Sequence, residues 1–262
     1  MANASHFLRT EMDVLLPIFQ LLYFVAHFLA SLALSVLDTF HLLHRVFLHV
    51  SAVLRGGNLP VLRIQADAAQ LKKTPQHLGL VCIGKQVYHI SYLANVITWA
   101  VGYGVRYVSL YDMHGTLKRQ RSVIIQHLEE VCADINYTVI THNSEANQAK
   151  DIVENSRSGP HVIVNLLSMT DGKGSLAVTA RQLSSGTRKV SQELLESLKV
   201  TRGQPDPELI ITIGEPISTM GFLPWQIRLS EFFAVPSLNR FEYGDFQTIL
   251  RQYSKCEQRY GK

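Results

Sequence analysis

At 262 residues and 47% apolar, the chain suits one substantial α/β domain or two small ones, and its composition excludes disorder as the main state. Its net charge of +4 is not gathered in one run and no zinc-finger or RNA-binding signature is present, so nothing points to nucleic acid as a partner. Cys82, Cys132 and Cys256 are odd in number and lack metal-ligand spacing, which reads as reduced thiols of a cytosol-facing domain.

Residues 1–13 form a short N-terminal tail. From Val14 to Leu37 the chain (VLLPIFQLLYFVAHFLASLALSVL) carries no charge. As a helix this stretch is about 36 Å long, enough for a hydrocarbon core of roughly 30 Å. A signal peptide has a shorter apolar core, a small-residue cleavage site and positive charge ahead of it. Here Arg9 stands against Glu11 and Asp13, so residues 14–37 read as a retained transmembrane helix. Arg45, Arg55 and Arg63 follow the span, and the positive-inside tendency places the bulk of the chain in the cytosol. The sequon at Asn136 then stays unglycosylated.

Residues 38–74 read as an amphipathic segment and linker. Phe40, Leu43, Phe47, Val50 and Leu54 share one helical face, which suits a membrane surface or a partner helix. His41, His44 and His49 have no carboxylate or cysteine companions and read as solvated or headgroup-facing. Arg55-Gly56-Gly57-Asn58 breaks the pattern, and Lys72-Lys73-Thr74-Pro75 marks entry to the globular domain of residues 75–262.

Within that domain strand and helix patterns alternate. Strands are predicted at Leu78–Ile83, Val105–Tyr111, Tyr137–Thr141, His161–Leu167 and Glu208–Ile213, separated by helical stretches. Ile90–Val101 and Leu117–Val131 read as helices, and a last helix starts near Tyr243 with Phe246, Ile249, Leu250 and Tyr253 on one face. The expected fold is α/β, a mostly parallel sheet flanked by helices.

Ligands of open α/β sheets sit at the carboxyl ends of the strands. The first strand ends Cys82-Ile83-Gly84-Lys85, a pair of soft or apolar side chains ill suited to a hard cation. The second ends Tyr111-Asp112-Met113-His114-Gly115. Asp112 and His114 invite an acid/base reading, but no nucleophile stands beside them and a polar turn is favoured. Asn165 with Thr170-Asp171-Gly172-Lys173-Gly174 lacks the order of a phosphate loop. The stretch Pro205–Phe233 (PDPELIITIGEPISTMGFLPWQIRLSEFF) holds Ile211 and Ile217, which offer an anion neither charge nor a donor fork.

In that stretch Ile210, Thr212, Gly214, Glu215, Phe222, Leu223, Trp225, Gln226 and Glu231 resemble the Asp-Leu-x-Ile-Arg-Thr-x-Gly-Glu-x-Arg and Phe-Leu-x-Trp-Gln…Glu frame of cis-prenyltransferases. The arginine positions read Ile211 and Ile217. The lead-in His77-Leu78-Gly79-Leu80-Val81 is similar too, but the Met-Asp-Gly-Asn end of active members is replaced, with Ile83 at the aspartate. Residues 165–174 resemble a degenerate Asn-Tyr-Gly-Gly-Arg segment. HLGLV, SLYDMHG, LLSMTDGKG, GFLPWQIRLSE and the terminal LRQYSKCEQRYGK resemble the Nogo-B receptor family, accessory subunits of eukaryotic dehydrodolichyl diphosphate synthase, across nearly all of Pro75–Lys262.

The resemblance implies an undecaprenyl diphosphate synthase-like fold without catalytic residues or a metal site of its own. It implies that Arg259, Tyr260 and Gly261 complete the diphosphate site of a catalytic cis-prenyltransferase partner. Arg259 faces isopentenyl diphosphate, Gly261 allows close backbone approach and Tyr260 packs. Magnesium belongs to the partner. The complex condenses isopentenyl diphosphate onto farnesyl diphosphate, giving the polyprenyl precursor of dolichol for protein glycosylation. The expected location is the endoplasmic reticulum membrane, single-pass. The competing reading is a membrane-anchored receptor or scaffold that binds a lipid or protein without an enzymatic role.

Overall fold

The structure, a computed structural model, describes residues 23–40, 43, 59–131, 135–143, 148–155, 159–184, 191, 199–201 and 203–257. It divides into two compact units, residues 1–59 and 60–262. In the first, helix α1 (Tyr23–Phe40) has 18 residues, a mean hydropathy of 1.5 and no buried surface, so it is long and apolar enough to cross a membrane. Residues 14–22 of the predicted span, and the amphipathic segment apart from Phe40 and Leu43, lie outside the described residues.

The second unit is built on a seven-stranded sheet of order β4-β3-β5-β2-β1-β6-β7. The strands are β1 (His77–Cys82), β2 (Tyr107–Tyr111), β3 (Asn136–Asn143), β4 (Gln148–Glu154), β5 (His161–Leu167), β6 (Leu209–Ile213) and β7 (Glu231–Val235). All pairings are parallel except β3 with β4. The central strands β1 and β6 are buried at every position, as their unbroken apolar runs require when both faces are covered. The helices are α2 (Leu59–Ala68), α3 (Ile90–Gly102), α4 (Thr116–Arg119), α5 (Arg121–Val131), α6 (Lys173–Ser184) and α7 (Tyr243–Lys255). Among them, α3 and α7 press buried faces into the larger core cluster, which contains Leu80, Leu93, Ile97, Ile211, Phe246 and Leu250.

Three elements depart from the sequence reading. The helical stretch expected between β3 and β5 contains β4, an antiparallel return with a register shift at Thr141/His142. The predicted helix Leu117–Val131 is two helices, because Gln120 leaves helical geometry (φ −92°, ψ 17°) and closes the first turn onto the Thr116 carbonyl. Beyond Phe222 the frame does not stay irregular: Glu231–Val235 adds β7 in parallel to β6 with alternating exposure.

Candidate functional site

The β1–β6 boundary is the switch point of the sheet, since β1 leads towards β2 on one side and β6 towards β7 on the other. The loops beyond these strands should therefore frame any ligand site. Among the described residues, apolar side chains of the strand ends pack against the turn that follows β6. Val81, Ile83, Tyr111, Leu167, Ile210, Phe222 and Leu223 form a second apolar cluster there, with Ile83 only 6% exposed. The Ile83 N–H donates to the Ile213 carbonyl at 2.9 Å, and the Gly214 N–H to the Val235 carbonyl at 2.9 Å. Gly214 has φ +102°, and a Cβ there would lie 2.9 Å from the Ile83 carbonyl oxygen. Only glycine fits both demands.

The neighbouring loops close in the same way. The Tyr111 hydroxyl donates to the Met220 carbonyl at 2.5 Å. The Lys173 N–H donates to the Gly221 carbonyl at 3.0 Å, and a Cβ on Gly172 would come within 2.2 Å of that oxygen. Backbone thus meets backbone where β5 and β6 end. Burial, with the charge of Asp112 adding to it, pushes the Cys82 thiol up to about 12, so the thiol is neutral near pH 7. Cys82 and Ile83 form no donor set for magnesium, and no group of three His, Cys, Asp or Glu able to hold a metal occurs among the described residues.

Asp112 and His114 make no acid/base pair. The Asp112 carboxylate accepts from the N–H groups of His114 (3.1 Å), Thr116 (2.8 Å) and Leu117 (2.9 Å), so it organises the turn and caps α4. Asp171 does similar work after β5. Its Oδ2 accepts from the Ser168 N–H (2.7 Å) and the Ser168 hydroxyl (2.9 Å), and it pairs with Lys118. A fully buried carboxylate therefore fills the place that a phosphate loop would keep open for an anion. The Lys118–Asp171 pair joins elements more than fifty positions apart, and no local pattern in the sequence marks it.

A buried polar ladder crosses the sheet nearby. The His77 Nδ1–H donates to the Pro205 carbonyl at 2.6 Å, leaving Nε2 to accept from the Ser109 hydroxyl at 2.8 Å. The Asn165 amide donates to Ser109 (3.3 Å) and to the Gln204 side chain (2.7 Å), while its Oδ1 accepts from His142 Nε2 at 3.0 Å. Burial lowers His77 to about 4, against the opposing effect of its bond to Pro205. Burial lowers His142 too, opposed by its bond to Asn165 Oδ1 and the charge of Asp171, with the Lys118 charge adding to the lowering. Both rings are neutral near pH 7 and structural in geometry.

Ile211 and Ile217 part company. Ile211 is 0% exposed and lies in the main core, whereas Ile217 is 72% exposed on the loop after β6. Gln226 is buried in the turn that follows Phe222, Trp225 is half-exposed, and Glu231 opens β7 with its N–H on the Glu208 carbonyl at 2.9 Å. A cavity of about 290 Å³ lies between α6 and this turn, lined by Leu176, Thr179, Leu183, Val200, Trp225 and Gln226 among others. The chain is described through Glu257, two residues past the end of α7; Arg259, Tyr260 and Gly261 lie outside the described residues.

Comparison with known proteins agrees with this geometry. A family model described as "Putative undecaprenyl diphosphate synthase" matches residues 87–261. The chain is 37% identical over 215 residues to the human "Dehydrodolichyl diphosphate synthase complex subunit NUS1", covering 77% of this chain and 71% of that protein. It is 35% identical over 213 residues to the mouse protein of the same description, covering 78% and 71% respectively. The yeast counterpart from Saccharomyces cerevisiae is 25% identical over 242 residues, covering 76% of this chain and 62% of that protein. With its parallel sheet, its frame residues along β1 and β6, and the match across residues 87–261, the chain belongs to the undecaprenyl diphosphate synthase family of prenyltransferases.

Proposed function

We propose that the chain is the accessory, non-catalytic subunit of a dehydrodolichyl diphosphate synthase complex, anchored by α1 in the endoplasmic reticulum membrane with its domain in the cytosol. The observation that carries this reading is the set of isoleucines at the charge-bearing positions of the family pattern. Where an active member holds an acid and two arginines, this chain has Ile83 and Ile211 in packed cores and Ile217 in solvent. The names of its mammalian relatives, subunits of such a complex, support the same conclusion.

In this reading the catalytic cis-prenyltransferase partner holds magnesium and both diphosphates. The tail of this chain completes the partner's site. Arg259 supplies charge and a donor fork to isopentenyl diphosphate, and Gly261 brings a backbone N–H close to a phosphate oxygen. Positioning and charge neutralisation of the diphosphates are the protein's share of the chemistry. Tyr260 packs between them.

The test is elongation of farnesyl diphosphate by a catalytic subunit with and without this chain. Addition of the wild-type chain should raise turnover. Arg259→Ala should lower it about tenfold to a hundredfold, the loss of one or two charge-assisted bonds. No gain from the wild-type chain would sink the subunit reading and leave a membrane-anchored receptor or scaffold. A gain that survives Arg259→Ala would remove the tail's role alone.

A further inference from the structure

The segment that joins the membrane side of the chain to β1 grips α7, the helix from which the C-terminal tail continues. Helix α2 and the residues after it lay Ile64, Ala68 and Leu71 on the main core. Ile64 sits over Gly102, so closely that a Cβ there would come within 2.4 Å of its Cγ2. Polar contacts then hold both ends of α7. At its first residue the Tyr243 hydroxyl donates to Asp67 Oδ2 at 2.7 Å and lies 3.1 Å from the Tyr103 hydroxyl. At its last turn the Lys72 N–H donates to Ser254 Oγ at 3.1 Å, and Lys73 Nζ stands 4.6 Å from the centre of the Tyr253 ring. Tyr253 and Ser254 are themselves buried.

We propose that Asp67, Lys72 and Lys73 are positioning residues: the connector 67–73 braces α7 against the core and so fixes the point from which the C-terminal tail reaches the partner's diphosphate site. This rests on the reading that Arg259 meets a diphosphate there. Arg259 follows Lys255, the last residue of α7, by four positions, so its reach from the helix end is about 14 Å at most. Sliding of α7 by one turn, about 5.4 Å, consumes more than a third of that reach, and fraying replaces a fixed starting point by a flexible one. A brace at the last turn therefore acts on the arginine without touching substrate.

The experiment uses the full chain assembled with its catalytic partner in membranes. Wild type, Lys73→Ala/Ser254→Ala, Lys73→Arg/Ser254→Ala and Arg259→Ala are compared, together with the combination of the first pair and Arg259→Ala. The Lys73→Ala/Ser254→Ala chain should assemble normally but show a KM for isopentenyl diphosphate raised about fivefold, with faster amide exchange across residues 250–257. Arginine at position 73 keeps the cation over Tyr253 and should recover most of the loss. In the Arg259→Ala background the pair should add nothing to KM, because its effect passes through the tail. If KM stays at the wild-type value while Arg259→Ala is impaired, the brace is refuted and the tail reading stands; additive effects refute it equally. If Arg259→Ala is as active as wild type, the tail reading fails and this inference falls with it.

Discussion

Acidification should destabilise the domain through His77. Its ring is buried, with Nδ1–H on the Pro205 carbonyl and Nε2 accepting from Ser109. Burial lowers its pKa from 6.5 to about 4. The folded state therefore binds the proton more weakly than the unfolded state. Stability is complete above the unfolded value near 6.5 and is lost as pH falls towards 4, since the unfolded chain takes up the proton first. Each pKa unit corresponds to about 1.4 kcal/mol, so the whole interval is ~3 kcal/mol, a large part of a domain's margin. Protonation would also take from the Ser109 hydroxyl its acceptor, since His77 Nε2 would then carry a proton. The assay is urea unfolding of the full chain in detergent, at about pH 7 and about pH 4.5, for wild type and His77→Gln. Glutamine keeps a donor and an acceptor but does not titrate. Wild type should lose ~2–3 kcal/mol more than the variant over that interval. All other groups are the same in the two proteins and drop out of the difference. Equal losses in the two proteins would refute the reasoning.

Asp112→Ala should cost ~2–3 kcal/mol, because three backbone N–H groups lose their acceptor; Asp112→Asn, with one acceptor oxygen, should recover part of it. Thermal melting in the same detergent checks this, and an unchanged midpoint for the alanine variant would count against the capping role. Restoring arginines separates the two isoleucines. Ile217→Arg, in solvent, should change stability by less than about 0.5 kcal/mol, whereas Ile211→Arg puts an unpaired charge in the core and should cost more than ~4 kcal/mol. Limited proteolysis ranks them, and equal resistance would overturn the placement of Ile211.

The parallel core was legible because β1, β2, β5 and β6 are apolar runs, rich in Val, Ile and Leu, with Gly or Asp at their ends. Strand β4 was not. Gln148–Glu154 carries three charges, Lys150, Asp151 and Glu154, at an edge of the sheet, where pairing geometry rather than burial decides the strand. The break at Gln120 is equally silent, since glutamine suits a helix interior. At the strand ends the departures at Ile83 and Ile211 came from the resemblance to the family's motifs, and the turn at Asp112 from its residue types. The packing of the loops could not be read from the sequence: it depends on Tyr111 meeting Met220, Gly172 meeting Gly221 and Asp171 meeting Lys118 across long separations.

The second apolar cluster also has an evolutionary side. An enzyme must defend a wet, polar hollow against collapse. Ile83 is 6% exposed within that cluster, so the position answers to packing. A lone carboxylate there would be buried without a partner. Under the proposed function, a return to chemistry would need compensating changes around position 83 rather than one substitution.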